Sequence, residues 1–381
     1  TNARGQALRP DGSVIAGLYC AGNVMANPVG TRTPSAVGTT IGPYYNRLVW
    51  NFTRGITAGE VAYAVNYNIS GEKTATMGGN AMTNAEGRAR PEDQIEAARI
   101  AMAEVADLLQ QDVEVVLTHG NGPQVGNLLV KNELAAAVVP PVPLDWCGAQ
   151  TQATLGFVLM NALDAALAER SLERRTATVV TRTLVDADDP GFTRPTKPIG
   201  RFLPAEDVAV LVEHGETWED RGEKGWRRVV ASPEPVRIID ADAVRALVEA
   251  GFVVVANGGG GIPVVEEADG SLRGVEAVID KDLGAALLAR TVAADVLVIG
   301  TDVPHAVLGF GTPEARDVGV VTAAELRGHA AEGHFASGSM GPKVDAACRF
   351  VEAGGARAVI TDLAHISSAV SGVAGTVVVP N

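Results

Sequence analysis

Cysteine is scarce in this chain of 381 residues: Cys20, Cys147 and Cys348 are odd in number, far apart and outside any C-x-x-C spacing. That pattern suits a reducing cytosol and argues against a cysteine-built zinc site. The six histidines show neither H-x-H nor H-x-x-x-H spacing, which argues against a protein-held metal. No apolar run approaches the roughly 20 residues that span a bilayer, and no signal peptide is visible after Thr1. Positive charge is in deficit, with 31 Lys+Arg against 45 Asp+Glu and a net charge of −14. Such a surface is a poor partner for nucleic acid or an anionic membrane, so any bound phosphate requires a local gathering of cations. Two familiar phosphate loops are missing as well: neither G-x-x-x-x-G-K-[ST] nor a helix-opening G-x-G-x-x-G occurs. No serine–histidine–acid set and no activated cysteine is evident, which leaves covalent catalysis without a carrier.

What the chain does have is rhythm. Its 46% apolar and 20% charged residues describe an ordinary globule, long enough for one large α/β domain or two medium ones. Ile95, Ala98, Met102, Val105 and Leu109 recur at three- and four-residue steps, which predicts an amphipathic helix from near Pro91. A strand is expected at 113–117, then a helix with Pro123 in its first turn, and a short β-branched strand at 178–181. Residues 186–230, rich in Pro, Gly, Asp, Arg and Trp, break the alternation as an inserted subdomain would. It resumes with a helix at 243–250, capped by Asp240 or Asp242 and stopped by Gly251. Strand 252–255, helix 283–290, strand 296–299, helix 344–351 and strands at 358–360 and 376–379 follow. Such alternation implies a mostly parallel sheet covered on both faces, with ligands beyond the carboxyl ends of its strands.

Glycine clusters sit at those ends. Gly78-Gly79-Asn80 follows a polar stretch at 73–77, Gly120-Asn121-Gly122 follows the strand at 113–117, and Gly258-Gly259-Gly260-Gly261 follows 252–255. Bare glycine amides can approach a small anion where side chains would intrude. Two lysines stand at expected helix starts, Lys281 in Asp280-Lys281-Asp282 and Lys343 in Gly341-Pro342-Lys343. A cation there opposes the helix dipole, which makes sense with an anion between them. Lys197, in Pro195-Thr196-Lys197-Pro198, reads from spacing alone as a surface lysine. Asp282 and Asp302 read equally as caps or as groups that hold lysines or magnesium. His119 reads as a turn histidine supporting its neighbours.

These motifs together resemble the carbamate kinases of the amino-acid-kinase superfamily. The matching stretches are Gly78-Gly79-Asn80-Ala81, THGNGPQVG from Thr118, PTKPIG from Pro195, GGGGIPV from Gly258, GVEAVIDKD from Gly274 and FASGSMGPK from Phe335. The resemblance implies a three-layer αβα sandwich and a homodimer in the cytoplasm. It implies reversible transfer between ATP and carbamate, with Mg²⁺ travelling on the nucleotide and no metal site on the protein. It assigns Lys197, Lys281 and Lys343 to neutralising the moving phosphoryl group and Asp282 to orienting the lysines. Gly78, Gly79, Asn80, Gly120, Asn121, Gly122, Gly258, Gly259 and Gly260 would hold the small substrate. Lys281, Thr301, Asp302, Met340 and Lys343 would face the nucleotide. The implied domains are a carbamate-binding lobe at 72–235, containing the inserted subdomain, and a nucleotide-binding lobe at 236–381.

Two departures accompany this reading: residues 74–77 are more polar than the strand usual before the Gly-Gly-Asn turn, and Asn257 stands where a small residue is usual. Residues 1–71 are expected to be an appendage to the kinase, partly disordered. Within it, Gly17-Leu18-Tyr19-Cys20-Ala21-Gly22-Asn23 and Gly38-Thr39-Thr40-Ile41-Gly42-Pro43 are similar to the C-terminal tail of fumarate reductase and ketosteroid dehydrogenase flavoproteins. The flavin-binding glycine fingerprint is absent, so no FAD is expected. The alternative to an active kinase is a catalytically impaired chimera of such a tail with the kinase fold.

Overall fold

The computed structural model describes residues 6–8, 14–19, 62–67 and 91–381, apart from 112, 214, 302, 336–338 and 363–364. The chain divides into two compact units, Thr1–Gly55 and Ile56–Asn381. In the first, β1 (Gln6–Leu8) pairs antiparallel with β2 (Val14–Tyr19).

The second unit opens with β3 (Ala62–Tyr67), α1 (Pro91–Leu109), β4 (Glu114–His119), α2 (Gly122–Ala135) and α3 (Leu144–Glu169). β5 (Arg175–Thr178), β6 (Arg182–Leu184), α4 (Pro190–Thr193), β7 (Lys197–Leu203), α5 (Ala205–Glu213), β8 (Thr217–Asp220) and β9 (Trp226–Val230) follow. Then come β10 (Arg237–Ile238), α6 (Ala241–Glu249), β11 (Phe252–Val255), β12 (Ile262–Glu266), β13 (Leu272–Gly274) and α7 (Lys281–Thr291). The chain closes through β14 (Val296–Thr301), β15 (Val307–Leu308), β16 (Arg316–Asp317), β17 (Val320–Thr322), α8 (Ala323–Ala331), α9 (Met340–Glu352), β18 (Arg357–Asp362), α10 (Ile366–Val370) and β19 (Thr376–Val379).

An eight-stranded sheet of order β17-β19-β18-β14-β3-β4-β11-β5 is parallel throughout, except where β18 meets β19. Strands β4, β11, β14 and β18 bury apolar residues on both faces, as burial between two helical layers requires. Val115, Leu117, Val253, Val255, Val296, Val298 and Val359 point into one core with α1, α3 and α10. Their alternating neighbours face the other side. Leu297, Ile299, Ala358 and Ile360 pack with α7, α8 and α9, while Val116 and Val254 pack with α6 and α7. The result is the expected three-layer αβα sandwich. The inserted subdomain is a separate antiparallel sheet, β7-β9-β8, with α5 against it through Leu203, Val208 and Trp218.

Several local expectations shift. The strand expected at 178–181 ends at Thr178, because Thr178 is the last residue laddered to β11, beside Val255, and the chain then crosses to β6. Asp240 precedes α6 but makes no capping bond; its carboxylate instead takes the Arg182 guanidinium at 2.7 Å. Ile95 is exposed, whereas Ala98, Met102, Val105 and Leu109 are buried as expected. The largest change concerns the N-terminal boundary. β3 lies between β14 and β4, parallel to both, with Tyr67 opposite His119 and Gly300. The kinase sheet thus takes a central strand from within the stretch expected to be an appendage ending at 71. Ten residues, 68–77, separate that strand from Gly78.

Candidate active site

The carboxyl ends of β4 and β11 bring two glycine turns together. A Cβ on Gly258 would overlap the His119 ring, and one on Gly259 would overlap the Asn121 side chain. On its other side, a Cβ on Gly260 would press on Ile279, and one on Gly284 would run into the Gly260 backbone. The glycine run is therefore wedged between the 119–121 turn and the start of α7. Gly259, Gly260 and Gly261 have φ of 69°, 92° and 91°, conformations that glycine adopts without strain.

Asn257 is the hub of this turn. It sits in the left-handed region at φ 56°, which asparagine tolerates better than most residues. Its N–H donates to Thr181 Oγ1 (3.0 Å), its carbonyl accepts from Thr118 Oγ1 (3.0 Å), and its Nδ2 donates to the Gly284 carbonyl (2.9 Å). The Thr183 hydroxyl stands 3.0 Å from both Asn257 Oδ1 and the Gly260 carbonyl. A smaller residue at 257 would leave the Gly284 carbonyl without its Nδ2 donor and Thr183 with the Gly260 carbonyl alone, which accounts for the departure seen in the sequence. Gln152, inward on α3, donates to the Thr181 and Gly258 carbonyls (3.1 and 3.0 Å) and accepts the Thr181 N–H (2.8 Å).

His119 is 1% exposed. Burial pushes its imidazole down to about 4, against the pull of the Gly120 carbonyl bonded to Nδ1 at 2.9 Å. The ring is thus neutral, with the proton on Nδ1. Asn121 donates from Nδ2 to Thr151 Oγ1 (2.9 Å), which ties the 120–122 turn to α3.

The charged groups meet at the starts of α7 and α9. Lys343, in the first turn of α9, reaches Asp282 in the first turn of α7 at 3.2 Å; their side chains are 6% and 3% exposed. Lys197, at the start of β7 in the inserted subdomain, crosses to Asp280 at 2.7 Å. Asp280 also caps α7, its Oδ1 accepting from the Asp282 and Leu283 amides (2.9 and 3.3 Å). Burial works against its ionised form, but the Lys197 ammonium and the other cation, Lys281, outweigh this and hold the carboxyl below its usual range. Lys281 is pushed down to about 8: burial is the largest cause, and repulsion from Lys343 and Lys197 adds to it, while Asp282 and Asp280 oppose it. Three ammonium groups and two carboxylates thus share one small region, a charge distribution that an incoming anion would balance.

Lys197, Lys281, Lys343 and Asp282 are therefore brought together, beside Gly258, Gly259 and Gly260. Asn121, between Gly120 and Gly122, abuts the same glycine run. Thr301 ends β14 and is buried; Met340 opens α9, the helix that carries Lys343. Gly78, Gly79, Asn80 and Asp302 lie outside the described residues. Sequence reasoning passed over Asp280, although an aspartate just before a helical run is an N-cap signal. It also passed over Gln152 and Thr183, whose polar side chains carry no motif. A further cluster joins His329, Glu332 and His334 at the end of α8. There the Gly309 amide donates to His334 Nδ1 (3.2 Å), so the ring proton sits on Nε2, facing Glu332 at 3.4 Å. Among the described residues, no helix is long and apolar enough to cross a membrane.

The profile of the amino acid kinase family matches residues 76–362. The carbamate kinase of Thermococcus kodakarensis is 47% identical over 307 residues, which cover 80% of this chain and 97% of that protein. The chain belongs to the amino acid kinase family, among the carbamate kinases. The carbamate kinase of Pyrococcus furiosus is 43% identical, over 80% of this chain and 98% of its own length. Among solved structures, the carbamate kinase from Giardia lamblia bound to AMP-PNP superposes with a TM-score of 0.78 at 35% identity, covering 85% of this chain and all of that one. The family match begins at residue 76, so the stretch at 17–43 lies outside it, and these matches give the expected likeness to a flavoprotein tail no support.

Proposed function

We propose that this chain is a carbamate kinase, transferring a phosphoryl group reversibly between ATP and carbamate, with ADP and carbamoyl phosphate as the other pair. The observation that carries the reading is the convergence of Lys197, Lys281 and Lys343 on two aspartates beside a buried glycine run, in a chain so close to carbamate kinases along nearly their full length. Carbamate is already an anionic nucleophile and requires no general base. The protein's task is positioning and charge neutralisation. In this reading the three ammonium groups cancel charge on the phosphoryl group as it moves, and Asp282 orients Lys343. The turns at Gly78-Gly79-Asn80 and Gly120-Asn121-Gly122, with Gly258-Gly259-Gly260, accommodate carbamate, which offers little surface to grip. Lys281, Thr301, Asp302, Met340 and Lys343 face the nucleotide, which brings Mg²⁺ with it as part of the substrate. A cytoplasmic homodimer completes the proposal, without FAD.

A second reading, a kinase fold with impaired turnover, is favoured by one observation: ten residues, 68–77, separate the central strand β3 from Gly78. A coupled assay of ATP formation from ADP and carbamoyl phosphate separates the two. Turnover by the full chain supports the kinase, and a folded chain that makes no ATP supports the impaired form. Acetylglutamate and aspartate, tried in place of carbamate in the forward direction, should not be phosphorylated.

A further inference from the structure

The two aspartates that flank Lys281 serve different partners. Asp282 holds Lys343, and both sit in the main body of the unit. Asp280 holds Lys197, which arrives from the inserted subdomain 83 residues away in sequence. The Asp280 carboxylate divides its oxygens: Oδ1 takes the first amides of α7, and Oδ2 takes the Lys197 ammonium. The backbone just before it also meets the chain as it leaves the subdomain, through the bridge of Ala277 to Ala231, the residue after β9, and the Val278 amide on the Ala231 carbonyl (2.9 Å). Without a carboxylate at this place, the positive end of α7 together with Lys281 would repel a third ammonium.

We propose that Asp280 is a positioning residue: it tethers Lys197 to the start of α7 and so presents the subdomain's only site lysine at the reacting phosphoryl group. The use of that lysine rests on the phosphotransferase reading above; the tether itself does not. Helix capping and lysine tethering are separable, since asparagine keeps a side-chain oxygen for the cap but lacks the charge.

The test is Asp280→Asn in the full chain, alongside Lys197→Ala and the double variant. Asp280→Asn should melt close to the parent, because the cap survives. Its kcat for ATP formation should fall roughly ten- to hundredfold, with the KM for ADP little changed, as expected when one group is misplaced by about an ångström. The double variant should be no slower than Lys197→Ala alone, because both substitutions remove one shared interaction. A parental kcat in Asp280→Asn, or losses that multiply in the double variant, overturns the proposal. Hydrogen–deuterium exchange on the substrate-free protein reads the tether without turnover. Peptides covering 196–203 should exchange faster in both single variants by a similar factor. Unchanged exchange there refutes the tether even if the enzyme is active. Faster exchange in a chain that makes no ATP upholds the tether while the functional reading fails.

Discussion

Replacing Lys281 by methionine should make the protein more stable at neutral pH while removing its activity. Lys281 is the first residue of α7, and burial together with Lys343 and Lys197 lowers its ammonium from 10.5 to about 8. A group that binds its proton less tightly when folded than when unfolded makes folding harder wherever both states are charged, which is below about pH 8. The penalty fades as pH rises toward the unfolded value of 10.5. At about 1.4 kcal/mol per pH unit, the displacement amounts to about 3 kcal/mol at pH 7, about 2 at pH 9 and under about 1 at pH 10. Lys281 is only partly buried, so solvent screening makes these figures ceilings. Methionine keeps the length and apolar stem of lysine without the charge. Urea unfolding of parent and variant at pH 7, 8, 9 and 10 gives the difference directly. Millimolar phosphate or ADP should then stabilise the parent more than the variant, because a bound anion relieves the same repulsion. A variant less stable than the parent at pH 7, or a difference that does not change with pH, would refute the reasoning.

Asp282→Asn should do the reverse, because it leaves the Lys343 ammonium, 6% exposed, without its carboxylate. A loss of about 3–5 kcal/mol is expected in urea unfolding, part of it recovered when Lys343→Met is added; no loss, or no recovery, counts against the buried pair. His119 is held neutral, its imidazole pushed from 6.5 down to about 4 by burial, so the unfolded chain gains a proton there first as pH falls. Stability from this group should be intact above about pH 6.5 and decline by about 3 kcal/mol toward pH 4. His119→Asn should flatten that part of the melting-temperature profile; an unchanged slope would assign the acid sensitivity elsewhere.

Much of this site was legible because its chemistry depends on short-range features. Glycine runs after apolar stretches and lysines at helix starts are visible one segment at a time, and the structure places the described ones against each other. The parts that escaped depend on pairing over long distances. Two aspartates flank Lys281, and only the folded positions of Lys197 and Lys343 show which carboxylate serves which ammonium. α3, the 26-residue helix Leu144–Glu169, was passed over altogether. Its inward residues include Thr151 and Gln152, which blur an apolar stripe because their polar atoms serve the glycine turns. The central strand escaped for another reason. Ala62–Tyr67 places Tyr63, Val65 and Tyr67 between Ala62, Ala64 and Asn66 and lies far from the glycine turn it might have announced, so only its ladder to β4 and β14 reveals it.

The electrostatics also explain why an acidic chain can host such a centre. Gathering three ammonium groups is costly. Asp280 and Asp282 offset two of them, and each carboxylate also belongs to the first turn of a helix whose dipole favours negative charge there. The third is Lys281, which both carboxylates also attract but which burial and the other two ammonium groups push down to about 8. A phosphoryl group would meet the combined field of three ammonium groups and two carboxylates in a setting already ordered by Asn257, Gln152 and Thr183, so little rearrangement remains to be done at the moment of transfer. The repulsion that destabilises the resting centre would also draw in a migrating anion. A substitution that raises stability by removing charge from this region should therefore lower anion binding in proportion.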